Sequence, residues 1–181
     1  MLANMEYPAL LTPNGSAQHG EFRFPVVTVS LKKWAGETLG NTFGGKGVVD
    51  HEGEPMFAEL AIQRLAVASG WNARWVETYG AKAAMPYFFE EWAPASISAQ
   101  TNSPVKTPVQ EELIRNIMTI NGGHSGFWDA LAWHGNETVF YEAKLRKHDR
   151  LNKNQYKWVR SALEAGLSID QFVLFDWQYA V

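Results

Sequence analysis

The chain has 181 residues, a net charge of −3, 46% hydrophobic and 19% charged residues, and no cysteine. That length buries one sizeable core and is short for two independent ones, while the missing cysteines exclude disulfides, thiolate metal sites and cysteine nucleophiles. No apolar run reaches the ~18 residues that span a bilayer, and MLANMEYPALLTPNG lacks a basic stretch followed by a long apolar one, so the expectation is an intracellular, cytoplasmic protein with no membrane partner.

Residues 22 to 31, FRFPVVTVSL, are rich in β-branched residues and read as a strand, which Pro25 pushes towards a sheet edge because proline donates nothing to a ladder. In the following GNTFGGKGVVD, Gly40, Gly45 and Lys46 have the spacing of a phosphate-binding loop, but Gly47 stands where a hydroxyl should follow the lysine. The stretch reads as a flexible glycine turn. Residues 55 to 69, PMFAELAIQRLAVAS, start with proline at a first helical position and stop before Gly70, both boundary signals of a helix. Glu59 is the acid among its apolar residues, next to Ile62 and Gln63 on the helix surface. WNARWVETY, residues 71 to 79, predicts the first core strand. From 80 to 108 the pattern breaks down, and PASISAQTNSPVKTP reads as a mobile lid or plain disorder. Residues 109 to 120, VQEELIRNIMTI, predict a short helix.

The last third is clearest. GFWDALAWHG and TVFYEAKLR predict an antiparallel hairpin with a tight turn at HGNE. NKNQYKWVRSALEAG predicts a helix capped by Asn152, with Gln155, Trp158, Val159, Ala162 and Leu163 facing inward and Gly166 at its end. DQFVLFDWQY closes the domain as a strand. The expectation is one α/β (α+β) domain over 1–181 with core order helix, strand, strand, strand, helix, strand. Residues 1–50 form an N-terminal extension with a strand, 51–80 the first core helix and strand, 81–122 an insertion, and 123–181 the hairpin, helix and last strand.

Charge interrupts this apolar framework in the hairpin. Successive strand side chains alternate between faces, so Val139, Tyr141, Ala143 and Leu145 share one face and Phe140, Glu142, Lys144 and Arg146 the other. On the first hairpin strand Asp129 shares a face with Phe127, Leu131 and Trp133. A turn near Gly135 and Asn136 brings Asp129 and Glu142 within reach of one another, and two carboxylates with Lys144 beside them suit a hard divalent cation such as magnesium or manganese. A Glu-x-Lys alone is equally at home on a solvated edge strand. Further on, Lys144, Arg146, Lys147, Arg150, Lys153, Lys157 and Arg160 face only Glu142 and Asp149 as acids over 142–160, giving that segment +5 and the remainder −8. Such a zone either attracts phosphates or is a solvated helix face. His19, His51, His124, His134 and His148 show no metal-binding spacing, and no nucleophile elbow is present.

Together these residues resemble the PD-(D/E)XK nucleases and, within them, the VRR-NUC (virus-type replication-repair nuclease) domain. The resemblance runs from about 126 to 179 and rests on Gly126 and Asp129, on Glu142-Ala143-Lys144, on Asp149-Arg150-Leu151-Asn152, and on Gln155 and Trp158 followed by Leu163 and Gly166. Trp128 departs from the family's usual proline, and residues 1–50 and 80–122 lie outside the match. The resemblance implies a restriction-endonuclease-like αβββαβ core, a central mixed sheet flanked by helices. It implies that Asp129, Glu142 and the carbonyl of Ala143 hold Mg2+ or Mn2+, that Glu59 joins the metal's inner or outer shell, that Lys144 orients water or offsets phosphorane charge, and that Gln155 reaches back to the site. The expected function is metal-dependent endonucleolytic hydrolysis of DNA in replication, repair or phage DNA processing, with Arg146, Lys147, Arg150, Lys153 and Lys157 contacting the nucleic acid. The rivals are a catalytically inactive nucleic-acid-binding protein of the same fold and an interaction subunit; subunit number, a homo-oligomer included, is left open.

Overall fold

The β-branched and aromatic runs of the chain meet in one mixed sheet. A computed structural model describes residues 5–81 and 84–181, so residues 1–4 of the expected extension and 82–83 of the expected insertion lie outside the described residues. The elements are β1 (Gly15–His19), β2 (Phe22–Lys33), β3 (Val48–His51), β4 (Glu54–Phe57), α1 (Ala58–Ala68), β5 (Asn72–Glu77), β6 (Tyr87–Phe89), α2 (Pro108–Asn121), β7 (Ala130–His134), β8 (Glu137–Leu145), α3 (Lys153–Glu164) and β9 (Phe172–Tyr179). The sheet runs β4-β3-β2-β9-β8-β7-β5-β6, with β1 paired to β2. Strands β2, β9 and β8 are mutually parallel and the remaining pairs antiparallel. The chain is thus an α+β fold, and among the described residues no helix is long and apolar enough to cross a membrane.

Strand β9 lies inside the sheet with both faces covered, which is why Phe172, Val173, Leu174 and Phe175 run apolar without a break. On one face Val139, Tyr141, Val173 and Phe175 pack with Leu60 and Ala61 of α1. On the other, Phe140, Phe172 and Leu174 pack with Ile114 and Ile117 of α2 and Trp158, Val159 and Ala162 of α3. The rings of Phe140 and Phe172, register partners across β8 and β9, stack at 5.0 Å between centroids. The α3 helix is capped as expected: Asn152 Oδ1 accepts from the Asn154 and Gln155 amides, and Gln155 Oε1 accepts from the Asn152 amide.

Three expectations are corrected. Strand β2 is interior, and Pro25 is tolerated because pairing with β9 begins only at Val26, one residue later. Pro55 does not start a helix; it lies in β4, a sheet edge that spares its missing donor, and α1 begins three residues later at Ala58. The stretch expected to be a lid or disorder is tied down by side-chain-to-backbone bonds that leave no periodic signature. The buried Gln100 amide donates to the carbonyls of Ala93, Ala95 and Ser96 and its oxygen accepts from the Ala93 amide. Asn102 Oδ1 accepts from the Phe88 amide at 2.8 Å, Arg74 Nε donates to the Ser103 carbonyl at 2.7 Å, and Val105 is buried.

Candidate active site at the open end of the hairpin

The β7–β8 ladder pairs Ala130 with Tyr141 and His134 with Glu137. One step beyond Ala130 comes Asp129, opposite Glu142, and there side chains take over from the backbone. The Asp129 amide donates to Glu142 Oε2 at 3.2 Å, and the Ala143 amide donates to Asp129 Oδ2 at 3.0 Å. The Asp129 carbonyl accepts from the Val76 amide of β5 at 2.8 Å. Asp129 is therefore fixed from both neighbouring strands.

The segment before it is fixed from the helix layer. Gly126 has φ +83°, and a Cβ there would fall 2.0 Å from the Asn154 carbonyl oxygen, so only glycine lets this segment lie against the first turn of α3. That contact brings Gln155 to the hairpin. Its Nε2 donates to Glu142 Oε1, and its Oε1 lies 3.4 Å from Lys144 Nζ. Lys144 Nζ in turn lies 2.9 Å from Glu142 Oε1. One carboxamide thus serves the helix cap, the acid and the lysine together.

Electrostatics set this cluster apart from the rest of the core. Glu142 is 2% exposed, and loss of hydration raises its pKa, opposed by the charge and hydrogen bond of Lys144. Asp129 keeps some surface but lies deep among protein atoms; loss of hydration, then the charges of Glu142 and Glu59, push its carboxyl well above the carboxylate range, against Lys46 and Lys144. The charge of Glu142 bears directly on Asp129, and a shared proton relieves two such adjacent acids.

Of the residues singled out in the sequence, Asp129, Glu142, Lys144 and Gln155 meet directly, with the Ala143 amide on Asp129. Glu59, 8% exposed in the first turn of α1, joins them electrostatically. Among the described residues no three Asp, Glu or His side chains are gathered into a ready-made cation cage. The basic zone divides. Arg146 pairs with Asp176 at 3.0 Å, Lys157 donates to the Asn121 carbonyl at 2.6 Å, and Arg160 pairs with Glu21 at 2.7 Å. Lys147, Arg150 and Lys153 are exposed and have no ion-pair partner among the described residues.

Lys46 is the site residue that sequence reasoning passed over. From the glycine turn its ammonium reaches Glu59 Oε1, and although burial works against its charge, Glu59 and then Asp129 raise its pKa and hold it protonated. The signal was present as a lysine among glycines, but its aim depends on β3 and β4, which carry the turn to the sheet face above α1. A cavity of about 300 Å3 lined by Lys46, Glu59, Ala143, Asp149 and Trp177 opens here. A second, of about 700 Å3, shares Lys46 and is bounded by Phe43, Glu77 and Tyr79.

No protein-family model, curated protein or solved structure matches this chain.

Proposed function

We propose that the protein is a metal-dependent nuclease that hydrolyses phosphodiester bonds in DNA, acting inside the cell, on a restriction-endonuclease-like core of the PD-(D/E)XK type. The observation that carries the reading is the pair Asp129 and Glu142, set opposite each other where the hairpin ladder ends, with Lys144 at 2.9 Å from the second acid. A structural ion pair needs one acid; here a second is held beside it at an electrostatic cost. The element order α1, β5, β7, β8, α3, β9 agrees with αβββαβ once β6 and α2 are counted as insertions.

The donor set fits a hard divalent cation. Carboxylate oxygens are the ligands magnesium and manganese take, and the loss of hydration that raises both pKa values, joined at Asp129 by the charges of Glu142 and Glu59, is the kind of cost a dication offsets. Asp129, Glu142 and the Ala143 carbonyl would hold it, with Glu59 in reach of the same region. When bound, the ion supplies polarisation of the scissile phosphate and activation of water. Lys144 would set its charge against that developing on the phosphate, Gln155 would keep Glu142 aimed, and Lys147, Arg150 and Lys153 would hold backbone phosphates.

A panel of single-stranded, duplex, flapped and junction DNA with Mg2+ or Mn2+ tests this. Asp129→Asn and Glu142→Gln are each expected to lose on the order of a thousandfold in cleavage while still binding DNA. Full cleavage in EDTA would overturn the reading, and binding without cleavage of any substrate by the unmodified chain would favour the non-catalytic DNA-binding protein.

A further inference from the structure

We propose that Lys46 is the resident counterion of the metal-free site: its ammonium stands in for the divalent cation at Glu59 and must withdraw for the ion to bind. The inference rests on the metal-dependent reading above and adds to it a built-in competitor that sets how readily the site loads.

Three observations carry it. Lys46 makes its ion pair with Glu59, and the charge of Asp129 also bears on it. A monocation thus satisfies groups that a dication would otherwise bridge. Charge balance then favours exchange over addition. With Glu59, Asp129 and Glu142 all ionised in the loaded site, a dication beside both Lys46 and Lys144 gives a net +1, whereas a dication replacing Lys46 gives zero.

The loop that carries Lys46 leaves its side chain room to turn. It is anchored at both ends: Asn41 Nδ2 donates to the Ala95 carbonyl at 2.8 Å, and Gly47 lies so close to Tyr179 and Trp177 that a Cβ would fall 2.6 Å from the Tyr179 hydroxyl. Between them Gly44 and Gly45 adopt φ +86° and +90° and have nothing within 4 Å of a Cβ position. Lys46 lines both cavities described above, and the larger offers a second acid, Glu77, whose charge already bears on it. A side-chain rotation from Glu59 towards Glu77 vacates the site without exposing the ammonium unpaired.

Two measurements test this on the full chain. The first titrates Mn2+ by calorimetry into the unmodified protein, Lys46→Met and Lys46→Arg. Lys46→Met is expected to bind about tenfold tighter, within the usual range of coupling between two ligands, and Lys46→Arg, which keeps the charge, no tighter than the unmodified chain. Equal or weaker binding by Lys46→Met, or equal tightening by Lys46→Arg, overturns the proposal. The second needs no variant. Mass spectrometry of acylated lysines should show Lys46 modified several-fold faster once Mg2+ is added; an unchanged or slower rate overturns the proposal. Failure of the metal reading looks different, because the unmodified protein would then bind no Mn2+, or Glu142→Gln would bind it equally well.

Discussion

The two ends of the β7–β8 hairpin are built on opposite rules. Towards the turn, Leu131 faces Phe140 and Ala132 faces Val139, every one buried and apolar, and the backbone ladder is unbroken. At the other end Asp129 faces Glu142, and carboxylate-to-amide bonds replace the ladder. Apolar burial at the first end stabilises the fold at about 25 cal/mol per Å2. Buried acids at the second oppose it, since like charges out of water cost free energy unless a cation stands between them. The same two strands thus hold a region that stabilises the fold and one whose charges work against it.

Stability measurements should separate the ends with opposite signs. Phe140→Ala empties a fully buried site stacked on Phe172 and should cost about 3–5 kcal/mol in denaturant unfolding. Asp129→Asn in metal-free protein should instead stabilise at neutral pH. The sign follows from linkage: a carboxyl whose folded pKa is raised favours the folded state while protonated, and that contribution is complete below its ordinary value of 3.8 and is lost as pH rises through the folded value. The advantage of Asp129→Asn over the unmodified chain should therefore grow as pH climbs above about 4. If both substitutions destabilise equally at pH 7, the two ends do not differ in kind.

Much of the closed end was legible in the sequence, and rather less of the open one. Alternation in VFYEAKLR placed Phe140 and Glu142 on one face, and the turn at Gly135 and Asn136 gave the register. Asn152 and Gly166 bounded the last helix because caps are local chemistry, whereas the part Gln155 takes in that cap was not read. Strands β1, β3, β4 and β6 were not read, since strands of three to five residues draw their stability from pairing and carry little pattern of their own. Pro55 misled for the same reason, being allowed equally at a helix start and on an edge. In the site, Asp129, Glu142 and Lys144 lie within two strands and could be paired from spacing. Lys46 and Glu59 meet only because β3, β4 and α1 bring residues 13 apart to one point, a tertiary event with no local signal. Nor did spacing reveal that Arg146, Lys157 and Arg160 are engaged by Asp176, Asn121 and Glu21.

Lys144 sharpens the contrast within the open end, because it contacts Glu142 in the resting protein yet is proposed to act on the phosphate. Lys144→Ala should lose about a hundredfold in cleavage rate at saturating DNA, as for loss of one preorganised transition-state partner, with DNA affinity nearly unchanged. Affinity falling as far as rate would make it a phosphate contact only. Unchanged rate and affinity with lowered thermal stability would reduce it to the ion pair seen with Glu142.

The smallest expected effect lies just outside the hairpin, on the exposed start of α3. Lys153 is free of ion pairs among the described residues, whereas Lys157, one turn on, spends its ammonium on the Asn121 carbonyl. Each lysine that neutralises a DNA phosphate releases condensed counterions, so Lys153→Ala should lower the slope of log affinity against log salt by roughly one unit for duplex DNA, alike for all sequences. Lys157→Ala should change the slope less and lower thermal stability instead, because its loss takes the ammonium donor from the Asn121 carbonyl at the end of α2. Measuring both in the Glu142→Gln background keeps cleavage from distorting the binding curves. A salt series in which Lys153→Ala leaves the slope unaltered would show that this flank is a solvated helix face.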